Sequence, residues 1–146
     1  MGLLTGRVAI ISGIGPGMGR DAALACVREG ANVVLASRTP TKVESVAEEV
    51  EALGGKALAI PTDVTDLSQI SDLIESTLTA FGSIDVLVNN AFAQPPFATL
   101  EEMDLDSWYA SFEVNCTSAL KMSRAVLPSM RQQGKGSIIN VATMSI

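Results

Sequence analysis

Five apolar runs of strand length, residues 8–11, 33–36, 57–60, 86–88 and 138–141, alternate with longer amphipathic stretches at 20–29, 41–53, 67–81 and 105–131. These runs are apolar at consecutive rather than alternate positions, broken only by Asn140 in the last, so both faces of the strands expect burial. That is the pattern of a parallel sheet covered on both sides. The order βαβαβαβαβ predicts an α/β doubly wound fold, a parallel sheet with right-handed crossovers placing helices on both faces. Gly30, Gly54-Gly55, Gly82 and Gly134 fall where helices should end, and Thr39-Pro40-Thr41 and Asp66 where helices should start. With no internal repeat, low-complexity tract or linker, residues 1–146 read as one domain.

Between the first strand and the first helix stands Ser12-Gly13-Ile14-Gly15-Pro16-Gly17-Met18-Gly19. A strand, a glycine-rich turn and a helix N-terminus together form an anion site. The turn brings backbone N–H groups close to a phosphate, and the helix dipole stabilises its charge. On this reading a Cβ on the loop would block the approach of a pyrophosphate. A ligand-free strand-to-helix turn is the bland alternative, but the loop opens a helix after the first strand, where nucleotides bind in open α/β sheets.

The same residues resemble the TGxxxGxG fingerprint of the short-chain dehydrogenase/reductase family, with Gly13, Gly17 and Gly19 on its glycines and Ser12 in place of Thr. Further family marks follow in order: Asp63-Val64, Asn89-Asn90-Ala91, Asn115, and Gly136-Ser137-Ile138-Ile139-Asn140. The resemblance implies a Rossmann fold, incomplete at its C-terminal end, with Gly13, Ile14, Gly17, Met18 and Gly19 around the dinucleotide. It further implies that Asp63 and Val64 flank the adenine, that Asn90 lies against the ribose, and that Asn115 is the Asn of the family's catalytic helix. Read without the resemblance, Asp63 is a helix cap or turn and Asn90 a turn amide. Asn115, an amide within the apolar stretch of Val114, Cys116, Ala119 and Leu120, is expected to find buried partners. The family's NNAG is NNAF here; if that glycine uses positive φ, Phe92 must reshape or strain the turn.

The second strand ends in Ser37-Arg38. NAD-specific relatives place an Asp at Ser37, where it binds the ribose hydroxyls and repels a 2′-phosphate. Here Ser37 can donate to that phosphate and Arg38 can pair with it, so NADP(H) is expected in preference to NAD(H), which stays admissible. The plain reading of Arg38 is an exposed charge at a strand end. The basic residue that many NADP-preferring relatives carry inside the glycine loop is missing, because Ile14, Gly15 and Pro16 stand there.

What the family resemblance implies for the chemistry is hydride transfer between NADP(H) and a carbonyl or secondary alcohol, as in an alcohol dehydrogenase or carbonyl reductase. Its YxxxK motif does not occur in these 146 residues: Tyr109 is followed by Glu113 four positions on. The expectation is therefore the N-terminal, cofactor-binding part of a longer single-domain enzyme, inactive by itself. The family's substrate-oxygen-fixing hydroxyl falls on Thr143, three residues after Asn140, with Ser145 as the other candidate. The family also implies a homodimer or homotetramer when complete. The rival readings are a non-catalytic dinucleotide-binding or regulatory module, and a flavin or S-adenosylmethionine enzyme. The latter is disfavoured by the missing acid after the second strand.

Composition removes other classes. There is no histidine, so the commonest general base and metal ligand are absent, and Cys26 and Cys116 are too far apart in sequence for a zinc motif. No metal is expected, and the acidic Glu101, Glu102, Asp104 and Asp106 read as a solvated helix start. A net charge of -6 with scattered basic residues argues against nucleic acid. No run is long enough to span a bilayer, so a small-molecule substrate and a cytoplasmic location with two reduced thiols are expected.

Overall fold

A computed structural model describes residues 2–142. The elements follow in the order β1 (Val8–Ser12), α1 (Met18–Arg28), β2 (Asn32–Ser37), α2 (Pro40–Ala52), β3 (Ala57–Pro61), α3 (Leu67–Phe81) and β4 (Val86–Asn89). Then come α4 (Leu105–Phe112), a π-helical turn (Glu113–Thr117), α5 (Ser118–Gln132) and β5 (Ser137–Asn140). All strand pairs are parallel and the sheet runs β3-β2-β1-β4-β5. The order reverses between β1 and β4, so a crevice opens there at the carboxyl ends of the strands.

In β1, β2 and β4 the apolar runs are explained by two cores, one on each face; the expectation of two-sided burial does not extend to β5, which lies at the sheet edge with Ser137, Ile139 and Asn140 exposed. Val8, Ile10, Val34 and Leu87 pack on one side with Ile70 and Leu73 of α3 and Met122, Val126 and Met130 of α5. Ala9, Ile11, Val33, Leu35 and Val88 pack on the other with Ala23, Leu24 and Val27 of α1 and Val43, Val46 and Val50 of α2. Neighbouring residues of β1 thus point into different cores, and all five are buried. A polar residue at either parity would face apolar side chains.

Most expected boundaries fall within two residues of the observed ones, and Asp66 caps α3 by accepting from the N–H groups of Ser68 and Gln69 at 2.8 and 3.2 Å. Asp104 caps α4 in the same way, accepting from the Ser107 N–H at 2.8 Å, which accounts for one of the four clustered acids. The helical stretch expected over residues 105–131 is present, but the π turn at Glu113–Thr117 interrupts its α-helical hydrogen bonding. Helical periodicity alone does not reveal a π turn, which inserts one residue without changing the apolar character of the stretch.

At the other end of the sheet, Asp85 holds β1 to β4. Its carboxylate accepts from the Val8 N–H at 3.0 Å, from Arg7 at 2.8 Å and from Ser83 at 3.2 Å. Burial alone would raise the Asp85 carboxyl, but these bonds together outweigh it and hold the group below the usual aspartate value.

Candidate functional site

Glycine at three loop positions answers three different demands. Gly13 has φ +73°, and a Cβ there would lie 2.6 Å from the Asn90 carbonyl oxygen and 2.7 Å from the Ala91 backbone. Gly19 is helical, but its Cβ would stand 2.5 Å from the Gly13 carbonyl oxygen. Gly17 caps α1 at φ 123°, with nothing within 4 Å of its missing Cβ. Clearance for a pyrophosphate is the purpose expected of these glycines from the sequence. The structure adds a protein-packing demand at Gly13 and Gly19: they let the loop lie directly on the chain leaving β4 and let α1 lie on the loop.

Ser12 locks that crossing. Its buried hydroxyl accepts from the N–H groups of Asn90 and Ala91 at 3.1 and 3.3 Å and donates to the Val88 carbonyl at 3.3 Å. The Asn90 amide completes it, donating to the carbonyls of Ser12 and Gly13 at 3.3 and 3.1 Å. Asn90 therefore spends its amide nitrogen on the loop while still lining the crevice. Sequence reasoning noted Ser12 only as a replacement for Thr and missed its clamp, because the partners lie 76 to 79 residues away.

The crevice so formed is a cleft of about 520 Å³. From the glycine loop it takes Gly13, Ile14, Met18 and Gly19; Gly17 is the one expected loop contact that lies outside its wall. Ile14 is anchored from beneath, its side chain buried with α1 and α2 and its N–H donating to the Ala36 carbonyl at 3.2 Å. Ser37 and Arg38 line the cleft at the end of β2, and Asp63 and Val64 after β3. The Asp63 carboxylate is occupied by the Thr65 N–H and hydroxyl at 2.9 and 2.7 Å, and Lys121 pins this turn by donating to the Thr65 carbonyl at 2.9 Å. Val64 is 6% exposed and belongs mostly to the core. Lys42 and Thr62 also line the cleft and were not anticipated. Lys42 lies four residues beyond Arg38 on the next helix, where no loop motif draws attention to it.

Electrostatically the cleft is open to an anion. The first turn of α1 has no side-chain cap, so its N–H groups are free to bind one. Arg20 is drawn away by Glu49 of α2, a contact that raises its pKa and lowers that of Glu49. Arg38 and Lys42 form no ion pair among the described residues.

A second cleft of about 600 Å³ adjoins the first through Met18, Asn90, Ala91 and Phe92, and adds Asn115, Val141 and Ala142. Here the π turn has its consequence: Asn115 accepts from the Ala93 N–H at 2.8 Å and donates to the Ala93 carbonyl at 2.7 Å. The expectation of a buried amide is corrected. Asn115 is exposed, and its partners are a loop backbone, not groups in the core. Of the two alternatives at Phe92, a reshaped or a strained turn, the structure shows no strain of that kind, since no non-glycine residue has positive φ among those described. Tyr109 is 60% exposed and packs edge-on against Trp108. Thr143 and Ser145 lie outside the described residues. No group of acids, cysteines or histidines able to hold a metal occurs among the described residues, and no described helix is long and apolar enough to cross a membrane. The larger cavity of about 880 Å³ lies between α3 and α5 and shares no residue with either cleft.

The profile of the short chain dehydrogenase family matches residues 7–145. Ketoacyl reductase HetN of Nostoc sp. is 37% identical over 145 residues, covering 99% of this chain and 50% of that protein. An uncharacterized oxidoreductase of Staphylococcus aureus is 34% identical over 145 residues, 99% of this chain and 62% of its own length. Among solved structures, an NAD+-bound xylitol dehydrogenase superimposes with a TM-score of 0.94 at 30% identity, over 97% of this chain and 55% of that one. A metagenomic short-chain oxidoreductase in complex with NADP gives 0.91 at 33% identity, over 97% of this chain and 64% of that one. The chain thus spans about half to three-fifths of the length of the curated relatives it matches. By its profile, its sheet and its crevice, this chain belongs to the short-chain dehydrogenase family of oxidoreductases.

Proposed function

We propose that this chain forms the nicotinamide-dinucleotide site of an NADP(H)-preferring oxidoreductase acting on a carbonyl or secondary alcohol. The observation that carries the cofactor choice is the end of β2. Ser37 and Arg38 line the cleft, the guanidinium has no ion-pair partner among the described residues, and no carboxylate stands where it would repel a 2′-phosphate. The remaining donors fit such a group. The uncapped start of α1 suits the diphosphate, and the turn carrying Asp63 and Val64 suits the adenine. Relatives bound to NAD+ and to NADP both exist, so the preference rests on these residues and not on kinship.

When bound, the nicotinamide supplies or takes up a hydride. The protein's part is to orient it. Met18, Phe92 and Asn115 line the adjoining cleft, where Asn115 holds the Ala93 loop, and Thr143 or Ser145 is our candidate for the hydroxyl that fixes the substrate oxygen. The greater length of the relatives supports reading residues 1–146 as the N-terminal part of a longer single-domain enzyme. A cytoplasmic homo-oligomer is the form we propose for that protein. Trp108 and Phe112, stacked at 5.5 Å and 44% and 48% exposed, present an apolar surface suited to assembly.

Calorimetric titration of the complete encoded protein with NADPH and NADH tests the cofactor assignment. Arg38→Ala should weaken NADPH by about 10- to 150-fold, the loss of a hydrogen-bonded charge pair, and leave NADH nearly unchanged. Tighter binding of NADH by the wild-type protein would overturn the assignment.

A further inference from the structure

We propose that Lys42 is a second cofactor-selecting cation, reaching from α2 to the place that an in-loop basic residue would occupy. This rests on the NADP(H) reading above and extends it to a residue outside the glycine loop. Gly15 has a φ that is not positive, and its missing Cβ would meet a single atom within 4 Å, the Cδ of Lys42 at 3.8 Å. Backbone conformation therefore does not require glycine at this position. What lies beside Gly15 is the aliphatic stem of Lys42, running along the rim of the cleft that both residues line.

Among the described residues no carboxylate pairs with the Lys42 ammonium. Three and four residues further along α2 are Ser45 and Val46, so the helix offers no carboxylate at the spacing where side chains meet. The first turn of α2 contains no acid, and its N-cap, Thr39, makes no side-chain cap bond. Asp63, which lines the same cleft, has one carboxylate oxygen bound by Thr65 and forms no ion pair among the described residues, and Arg20 of α1 is held by Glu49. Arg38 and Lys42 are two like charges on one rim without an ion-pair partner among the described residues. A phosphate monoester of charge near -2, as on the 2′-position of an adenosine ribose, is the ligand chemistry that turns this repulsion into attraction. A diol at that position gives Lys42 nothing to pair with. The selector is thus split between two elements: Arg38 from the strand end and Lys42 from the helix, with Gly15 leaving room for the stem.

The test uses the complete encoded protein and four variants, Lys42→Met, Lys42→Arg, Arg38→Ala and the double variant Lys42→Met/Gly15→Arg, each titrated with NADPH and NADH. Methionine keeps the stem beside Gly15 and removes only the charge; thermal melts of each variant check that folding is intact. We expect Lys42→Met to weaken NADPH about tenfold with NADH within about twofold, the loss of one exposed charge-assisted contact. Lys42→Arg should retain NADPH, and Gly15→Arg should recover it in the Lys42→Met background. Unchanged NADPH affinity in Lys42→Met, beside a weakened Arg38→Ala, overturns the role of Lys42 alone. Equal weakening of both cofactors overturns it too, because the contact would then be to a part they share. A wild-type protein without preference for NADPH refutes the underlying cofactor reading itself.

Discussion

The glycine loop permits a four-way experiment, because each alanine substitution adds a different penalty. At Gly17 the conformation alone is at stake: φ is 123° and space is free, so Gly17→Ala should cost about 1–3 kcal/mol of backbone strain. At Gly19 the contact alone is at stake. The residue is helical and gains propensity, yet its Cβ falls 2.5 Å from the Gly13 oxygen and 2.9 Å from the Asn90 side-chain nitrogen. Overpacking of that kind costs about 1–3 kcal/mol. Gly13 combines both, with φ +73° and a Cβ 2.6 to 2.7 Å from the backbone of residues 90 and 91, so Gly13→Ala should lose roughly 2–5 kcal/mol. Gly15 combines neither, and Gly15→Ala should be neutral or stabilise by about 0.4–1 kcal/mol through the unfolded chain. Against a total stability of about 5–15 kcal/mol these differences are large. Urea denaturation followed by far-ultraviolet circular dichroism, without cofactor, measures all four. The reasoning fails if Gly15→Ala is as damaging as Gly13→Ala, or if Gly13→Ala costs no more than Gly17→Ala.

Two further outcomes test the contacts that tie β1 to β4. Ser12→Ala should cost about 1–3 kcal/mol, because the N–H groups of Asn90 and Ala91 lose their acceptor, whereas Ser12→Thr should keep most of it. The same denaturation assay reads the difference, and an Ala variant as stable as wild type would refute the clamp. Asp85, with its pKa lowered in the fold, contributes stability that is present above the unfolded aspartate pKa of about 4 and is lost as pH falls through the lower folded value. Asp85→Asn should therefore be less stable near neutrality by about 1.5–3 kcal/mol and show a flatter pH dependence below about pH 4. A variant whose melting temperature tracks wild type across that range would remove Asp85 from the account.

The architecture was legible because the burial demand is two-sided. Ala9 and Ile11 serve one core and Val8 and Ile10 the other, and such a strand cannot disguise its neighbours as solvent. The crevice was legible in its loop, since Gly13, Met18 and Gly19 are local and motif-bearing. What stayed hidden depends on partners distant in the chain. The need for glycine at 13 is set by Asn90 and Ala91, and the π turn at 113–117 leaves no mark in periodicity. Asn115 finds its partner in Ala93, an unremarkable loop residue whose peptide group, not its side chain, is used. Lys42 escaped notice for a related reason: the motif directs the search to the loop, and the cation arrives from the helix behind it.

The crossing of the Gly13 turn over Asn90 has a consequence for how the protein comes into being. Segments 77 and 78 residues apart meet at this crossing, so the turn is fully braced only when β4 lies beside β1. Closing so long a loop is an entropic cost met late, after more local contacts have formed. A dinucleotide bound in the crevice would lean on this junction, so binding would stabilise β1 beside β4 by an amount that grows with the logarithm of its concentration over its dissociation constant.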